Sequence, residues 1–140
     1  MNIANNEKGG VINNTNETEL GLGYITLGGD SMGVLCSLGD LNKKEIYSLS
    51  RYINEKEGWD SIPTEIIERP ASAELQEGQV DPFDYDKISE PVGELLQGRP
   101  VAEVAQKYQL PLDEVQALYA IIQRNAFKRS FMPPILKLKD

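Results

Sequence analysis

N-N-T-N-E-T-E-L-G-L-G-Y-I-T-L-G-G-D, residues 13–30, is the stretch on which the reading of this chain turns. It opens with small polar side chains and then sets Glu17 and Glu19 at a predicted helix start. Asn16 suits the N-cap and Glu19 follows three residues later, the spacing at which each side chain satisfies an orphan N–H of the other. Leu20, Tyr24 and Leu27 recur at i, i+4 and i+7, which predicts a helix over 17–27 stopped by Gly28. Gly21 and Gly23 weaken that helix, and Tyr24-Ile25-Thr26 would also suit a strand. Upstream, Val11-Ile12 predicts a short strand over 10–13, with residues 13–16 as the loop at its carboxyl end. In open α/β sheets that is where ligands bind.

The totals narrow the chemistry. The 140 residues make room for one domain, 40% hydrophobic and 26% charged. With no His and one Cys, at position 36, a structural zinc site, an intrachain disulfide and a Ser-His-Asp triad are all excluded within this chain. Any metal would be a hard cation held by oxygen, Mg²⁺ first. No apolar run approaches a membrane span, and the N-terminus lacks a secretory apolar core. The net charge of −8 resides between Asp60 and Glu94, where ten acidic residues meet only Arg69 and Lys87. Such a block is a solvated face, and it argues against nucleic acid as the main partner.

Further along, Gly28-Gly29-Asp30-Ser31 reads as a turn. The S-G-G-x-D-S pyrophosphate loop that it superficially suggests would need Ser in place of Leu27 and a residue between Gly29 and Asp30. Residues 34–38 predict a strand, followed by the turn Gly39-Asp40. A helix is predicted over 43–57, with Asn42 as N-cap, Glu45 as its partner and Gly58 as stop. Ile46, Leu49 and Ile53, with Tyr52 beside them, form its expected packed face. Lys43 and Lys44 stand in the first turn, the wrong end of the dipole for cations, so they are either solvated at small cost or mark a phosphate site.

Residues 60–83 carry Pro63, Pro70 and Pro82 and little periodicity apart from Ile62–Ile67, which predicts a long flexible loop of functional kind. Helices follow over 85–96, despite Pro91, then over 100–108 and 112–128 as a hairpin spanning 100–129. Val115, Leu118, Tyr119 and Ile122 make the last helix's buried stripe. The tail K-R-S-F-M-P-P-I-L-K-L-K is basic and cannot stay helical past Pro133-Pro134. The hairpin imitates a DNA-binding helix-turn-helix, but its second helix would offer Asp113 and Glu114 to phosphates, which is electrostatically wrong.

Three stretches, 14–30, G-D-L-N-K-K-E-I-Y-S-L-S-R-Y-I-N (39–54) and I-I-E-R-P-A-S-A-E-L-Q-E-G-Q-V-D (66–81), together with K-R-S-F-M-P-P near the end, resemble one family. They look like the carboxyl-terminal half of the synthetase domain of NAD synthetase, closest to the glutamine-dependent form. The resemblance covers roughly 9–136, and P-[ST]-A-E-L followed by Q-x-D is its most specific part. It implies an α/β fold: part of a Rossmann-like adenine nucleotide alpha hydrolase domain, mostly helical here with a short parallel sheet. It also implies a cytoplasmic, homodimeric ligase. ATP adenylates the carboxylate of deamido-NAD, and ammonia, free or glutamine-derived, displaces AMP, with Mg²⁺ on the phosphates.

Residue by residue, the resemblance assigns Glu19, Tyr24, Asp30 and Lys128 to deamido-NAD, with Glu19 also near Mg²⁺. It assigns Asn14, Lys43 and Ser72 to ATP, Asn14 standing where the family usually carries Thr. The S-G-G-x-D-S loop that precedes this region in the family does not occur in the 140 residues, and neither does a glutaminase domain. The resemblance therefore points to a truncated or split synthetase. The other classes to weigh are a non-catalytic nucleotide-binding or interaction module and the helix-turn-helix DNA binder.

Overall fold

The computed structural model describes residues 2–73 and 76–139, so Glu74 and Leu75 of the P-A-S-A-E-L motif lie outside the described residues. A helix that the sequence pattern did not foretell, α1 (Asn2–Asn6), leads into β1 (Ile12–Asn13), α2 (Glu17–Leu22) and β2 (Leu35–Cys36). The strands pair in parallel, Ile12 opposite Leu35 and Asn13 opposite Cys36. Cys36 also bridges in parallel to Ile135, and its N–H donates to the Pro134 carbonyl at 2.8 Å. The basic tail thus returns as a third sheet segment. Two prolines end helical propagation but leave an extended chain that can pair through its other groups.

α2 carries the expected capping box: the Glu19 N–H donates to Asn16 Oδ1 at 3.0 Å and the Asn16 N–H to Glu19 Oε2 at 3.1 Å. It ends five residues earlier than predicted, at Gly23, which takes the left-handed conformation (φ 64°). The cause lies far away in sequence. The Asn125 amide donates to the Leu22 carbonyl at 2.7 Å, and Lys128 Nζ donates to the carbonyls of Gly23 and Ile25, both at 2.8 Å. Side chains take the acceptors that another helical turn would have used.

α3 (Lys43–Glu57) has the predicted bounds, with a second capping box between Asn42 and Glu45 and a left-handed Gly58 at its end. Its expected packed face forms only in part, with Ile46 and Ile53 half-buried against neighbouring helices. None of its residues is buried, and Leu49 and Tyr52 are exposed. The predicted loop over 60–83 is interrupted by α4 (Thr64–Glu68), where the Ile66-Ile67 pair lets Ile67 reach the core.

α5 (Tyr85–Leu96) is the central helix, capped by Asp84 and buried along Ile88, Val92 and Leu95. It touches α2, α3, α6 (Val101–Tyr108) and α7 (Leu112–Arg124). Pro91 does not interrupt it, because burial on both flanks offsets the lost hydrogen bond. Glu94 gathers Arg99, Lys107 and Tyr108 and so fixes α6 on α5. The helix predicted to run to Lys128 breaks at Asn125, and α8 (Ala126–Arg129) turns away to reach α2. Val115 and Ile122 are buried and Leu118 is half-buried, but Tyr119 faces outward, so the stripe is one residue narrower than predicted. The core, with Leu22, Val92, Val104, Val115 and Ile122 at its centre, sits at the helical end. The sheet end is mostly polar inside.

Candidate functional site

The polar stretch after β1 is folded inward. Asn13 Nδ2 donates to the carbonyls of Asp30 and Met32 at 2.6 and 3.0 Å, and Thr15 Oγ1 donates to the Asp30 carbonyl at 2.8 Å. Asn13, Thr15, Asn16, Thr18 and Ser31 are all buried. Gly33 is required here: with φ at 150°, an added Cβ would lie 2.9 Å from the Val11 carbonyl oxygen. This clamp brings the turn at 28–31 against the carboxyl end of β1. Within the turn, the Asp30 carboxylate accepts from the Thr26 N–H and the Gly28 N–H donates to Ser31 Oγ at 3.0 Å.

Between this clamp, the start of α3 and the segment around Ser72 lies a cavity of about 310 Å³. Asn14, Glu19, Tyr24, Asp30, Lys43 and Ser72 all line it, although they come from separate parts of the chain. Lys128 does not. Its ammonium is engaged by the Gly23 and Ile25 carbonyls, the segment that carries Tyr24. A wider cleft of about 540 Å³, between α3 and the start of α5, contains none of these residues. Its cations Lys44, Arg51 and Arg69 face the acids Glu68, Asp84 and Asp86, so it offers no consistent charge to a ligand.

Glu19 has two oxygens with two tasks. Oε2 closes the capping box, while Oε1 lies 3.4 Å from Lys43 Nζ. Lys43 also stands over the Tyr85 ring, 5.4 Å from its centroid. The two lysines in the first turn of α3 are therefore offset by carboxylates from other helices, Lys43 by Glu19 and Lys44 by Glu90 at 3.3 Å. That removes much of their unfavourable interaction with the dipole.

Asp81, on the cavity wall, and Tyr85, which lines the neighbouring cleft and bonds to it, carry no assignment from the sequence. Asp81 belongs to the quoted Q-x-D motif, which was the available signal, whereas Tyr85 gave none beyond starting a helix. Tyr85 Oη donates to Asp81 Oδ2 at 2.9 Å, and Phe83 meets both Tyr24 and Tyr85 edge to face. Burial first, then the hydrogen bond and charge of Asp81, push the Tyr85 phenol far above its ordinary range. Burial and Asp81 also raise the Tyr24 phenol. Both hydroxyls keep their protons near neutral pH. The site is thus a polar cleft with a cation, carboxylates, hydroxyls and an aromatic wall, at the carboxyl end of a parallel strand, suited to a phosphorylated ligand with a planar ring. Among the described residues, no three carboxylates or other metal-binding side chains cluster closely enough to hold a metal by themselves.

A short parallel sheet flanked by helices, with its polar cavity at the strand ends, has the architecture of the Rossmann-like alpha hydrolase class. The solved NH3-dependent NAD synthetase from Campylobacter jejuni superposes on 97% of this chain with a TM-score of 0.62 and 29% identity, over 49% of its own length. The family model for NAD synthase matches residues 1–132. The chain belongs to the NAD synthase family. It is 33% identical over 134 residues to the NH(3)-dependent NAD(+) synthetase of Chlorobaculum tepidum, covering 93% of this chain and 46% of that protein. To the glutamine-dependent NAD(+) synthetase of Synechocystis sp. it is 31% identical, covering 100% of this chain and 25% of that protein. The chain spans about half the length of its NH(3)-dependent relatives and a quarter of the glutamine-dependent one. No helix among the described residues is long and apolar enough to cross a membrane.

Proposed function

We propose that this chain forms the substrate-binding half of an NAD synthetase, an ATP-dependent ligase that amidates deamido-NAD to NAD. One observation carries the reading: six residues assigned by motif, scattered between positions 14 and 72, line one cavity. In the reaction, a carboxylate oxygen of deamido-NAD attacks the α-phosphorus of ATP and pyrophosphate leaves. Ammonia, supplied free or from glutamine, then attacks the acyl carbon and AMP leaves.

Lys43 neutralises charge on the phosphates, and Ser72 and Asn14 donate hydrogen bonds to the nucleotide. Tyr24 and Asp30 line the part of the cavity that takes deamido-NAD. Lys128 belongs to this half of the site through the backbone it holds around Tyr24. Mg²⁺ bound through phosphate and water needs only one or two protein carboxylates. Glu19, whose Oε1 faces Lys43 rather than the cap, fits as that ligand. When bound, the ion would neutralise the departing pyrophosphate.

A homodimer in the cytoplasm is the assembly that accompanies this reading, and the exposed Leu49 and Tyr52 on α3 supply apolar surface for it. A second reading, a nucleotide-binding module without turnover, fits the same cavity, whose cation and hydroxyls would hold a nucleotide whether or not a reaction follows. Incubation of the chain with Mg²⁺-ATP, deamido-NAD and an ammonium salt separates the two. NAD formation that Glu19→Gln abolishes supports the ligase. ATP binding without turnover supports the module, and neither binding nor turnover removes both.

A further inference from the structure

Asp81 is a carboxylate of the cavity wall that no ligand assignment uses. Its N–H donates to the Ala71 carbonyl at 2.9 Å, and its Oδ1 accepts from the Ala73 N–H at 2.9 Å. The residues flanking Ser72 are therefore tied to Asp81 from both sides. Its other oxygen, Oδ2, takes the Tyr85 hydroxyl at 2.9 Å, and the Tyr24 hydroxyl is drawn to the same carboxylate. Tyr85 in turn lies under Lys43, which reaches Glu19.

We infer that Asp81 is a positioning residue: it couples the Ser72 segment to Tyr85, which backs Tyr24 through Phe83, and so fixes the spacing between the Ser72 and Tyr24 sides of the cavity. Direct contact with a polyphosphate is the wrong role for it. A carboxylate repels phosphate, and both its oxygens already accept from protein donors. Acting through its donors, it holds neutral hydroxyls and backbone in place, whereas Glu19 is left to face cations. The raised phenols of Tyr24 and Tyr85 agree with a carboxylate that holds their protons.

The inference rests on the reading of the cavity as a nucleotide site, and its test separates the two. The 140-residue chain, Asp81→Asn and Tyr85→Phe would be compared by ultraviolet titration of the tyrosines, by hydrogen exchange at the Ala73 amide and by calorimetric binding of Mg²⁺-ATP. Asp81→Asn keeps the shape and removes the charge, while Tyr85→Phe deletes a single hydrogen bond if the first variant fails to fold. The expected result for Asp81→Asn is that tyrosines titrate closer to their ordinary range, Ala73 exchanges faster, and ATP binds about tenfold more weakly, since small misplacements in an oriented site are costly. Tyr85→Phe weakens ATP by a smaller factor in the same direction. A simple structural role would leave the tyrosine titration unmoved. An unmoved titration, or unchanged affinity where the wild-type chain binds ATP, overturns the inference. No ATP binding to the wild-type chain, with the tyrosine and exchange shifts present, supports Asp81 as the coupling residue and overturns the cavity as a nucleotide site.

Discussion

α2 and α3 begin alike and live differently. Each starts with an Asn cap reciprocated by a Glu three residues on, and each stops at a left-handed Gly. Yet α2 is six residues long with Thr18, Leu20, Gly21 and Leu22 buried, while α3 is fifteen long with none buried. A helix of six residues cannot hold itself in water, whereas one of fifteen with good caps is close to doing so. α3 is therefore a locally specified element and α2 a tertiary one. The cavity takes Glu19 from the second and Lys43 from the first.

The strongest way to break this comparison is at the two stop glycines. At Gly23 an added Cβ meets the Asn125 Cβ at 2.3 Å, on top of the left-handed φ, so Gly23→Ala is expected to cost about 3 kcal/mol. Gly58 shares the conformation but has nothing within 4 Å, so Gly58→Ala costs about 1 kcal/mol. Urea denaturation of the two variants measures the difference, and equal losses would mean that α2 is not held from outside.

The next contrast concerns the cations at the two helix ends. Lys128 donates to two carbonyls of the segment that follows α2, whereas Lys56 only sits in the last turn of α3, near Tyr52. Lys128→Met should lose about 2 kcal/mol of thermal stability, and Lys56→Met about 0.3 kcal/mol. A similar melting shift in both would reduce Lys128 to an ordinary dipole partner.

The caps sharpen the comparison further. Asn16→Ala and Asn42→Ala should each cost about 1 kcal/mol in denaturation. Only Asn16→Ala frees Glu19 from its fixed position, so Mg²⁺-ATP affinity should fall in that variant more than in the other, as calorimetry would read. Loss of affinity from both alike would show that Glu19 orientation is not set by its cap.

The remaining contrast is a pH dependence at the entry to α3. Two backbone N–H groups, from Leu138 and Lys139, and the Lys137 ammonium lower the Asp40 carboxyl to about 2. Its folded pKa lies below the unfolded one, so its contribution is present above about pH 4 and fades as pH falls through about 2. Stability curves of the wild-type chain and Asp40→Asn should differ at pH 5 and converge in that acid window. Parallel curves would mean that the carboxylate does not hold the tail.

Much of this was legible locally. The bounds of α3 and α5, both capping boxes, the turn at 28–31 and six of the residues that line the cavity follow from cap chemistry, periodicity and motif, whereas Lys128, assigned with them, lies outside it. Other features were not. Leu20, Tyr24 and Leu27 recur at helical spacing, yet the chain leaves the helix at Gly23, because Asn125 and Lys128, more than a hundred residues on, take its terminal acceptors. The same corner explains why the predicted 112–128 helix breaks, since Lys128 reaches α2 from the separate turn of α8. Ile46, Leu49 and Ile53 have amphipathic spacing, but the neighbouring helices cover only Ile46 and Ile53 in part and leave Leu49 exposed, because spacing offers a face without supplying a surface to cover it.

The sequence by itself determined where α2, α3 and α5 begin, where α3 ends, and which side chains have the chemistry for phosphate and cation. Those properties depend on neighbours a few residues apart. The tertiary structure alone decided that α2 stops at Leu22, that the tail joins the sheet at Cys36, and that Asp81 links Ser72 to the aromatic wall. Each depends on donors and acceptors that meet only after the chain has closed loops of about ten to more than a hundred residues, which no local pattern encodes.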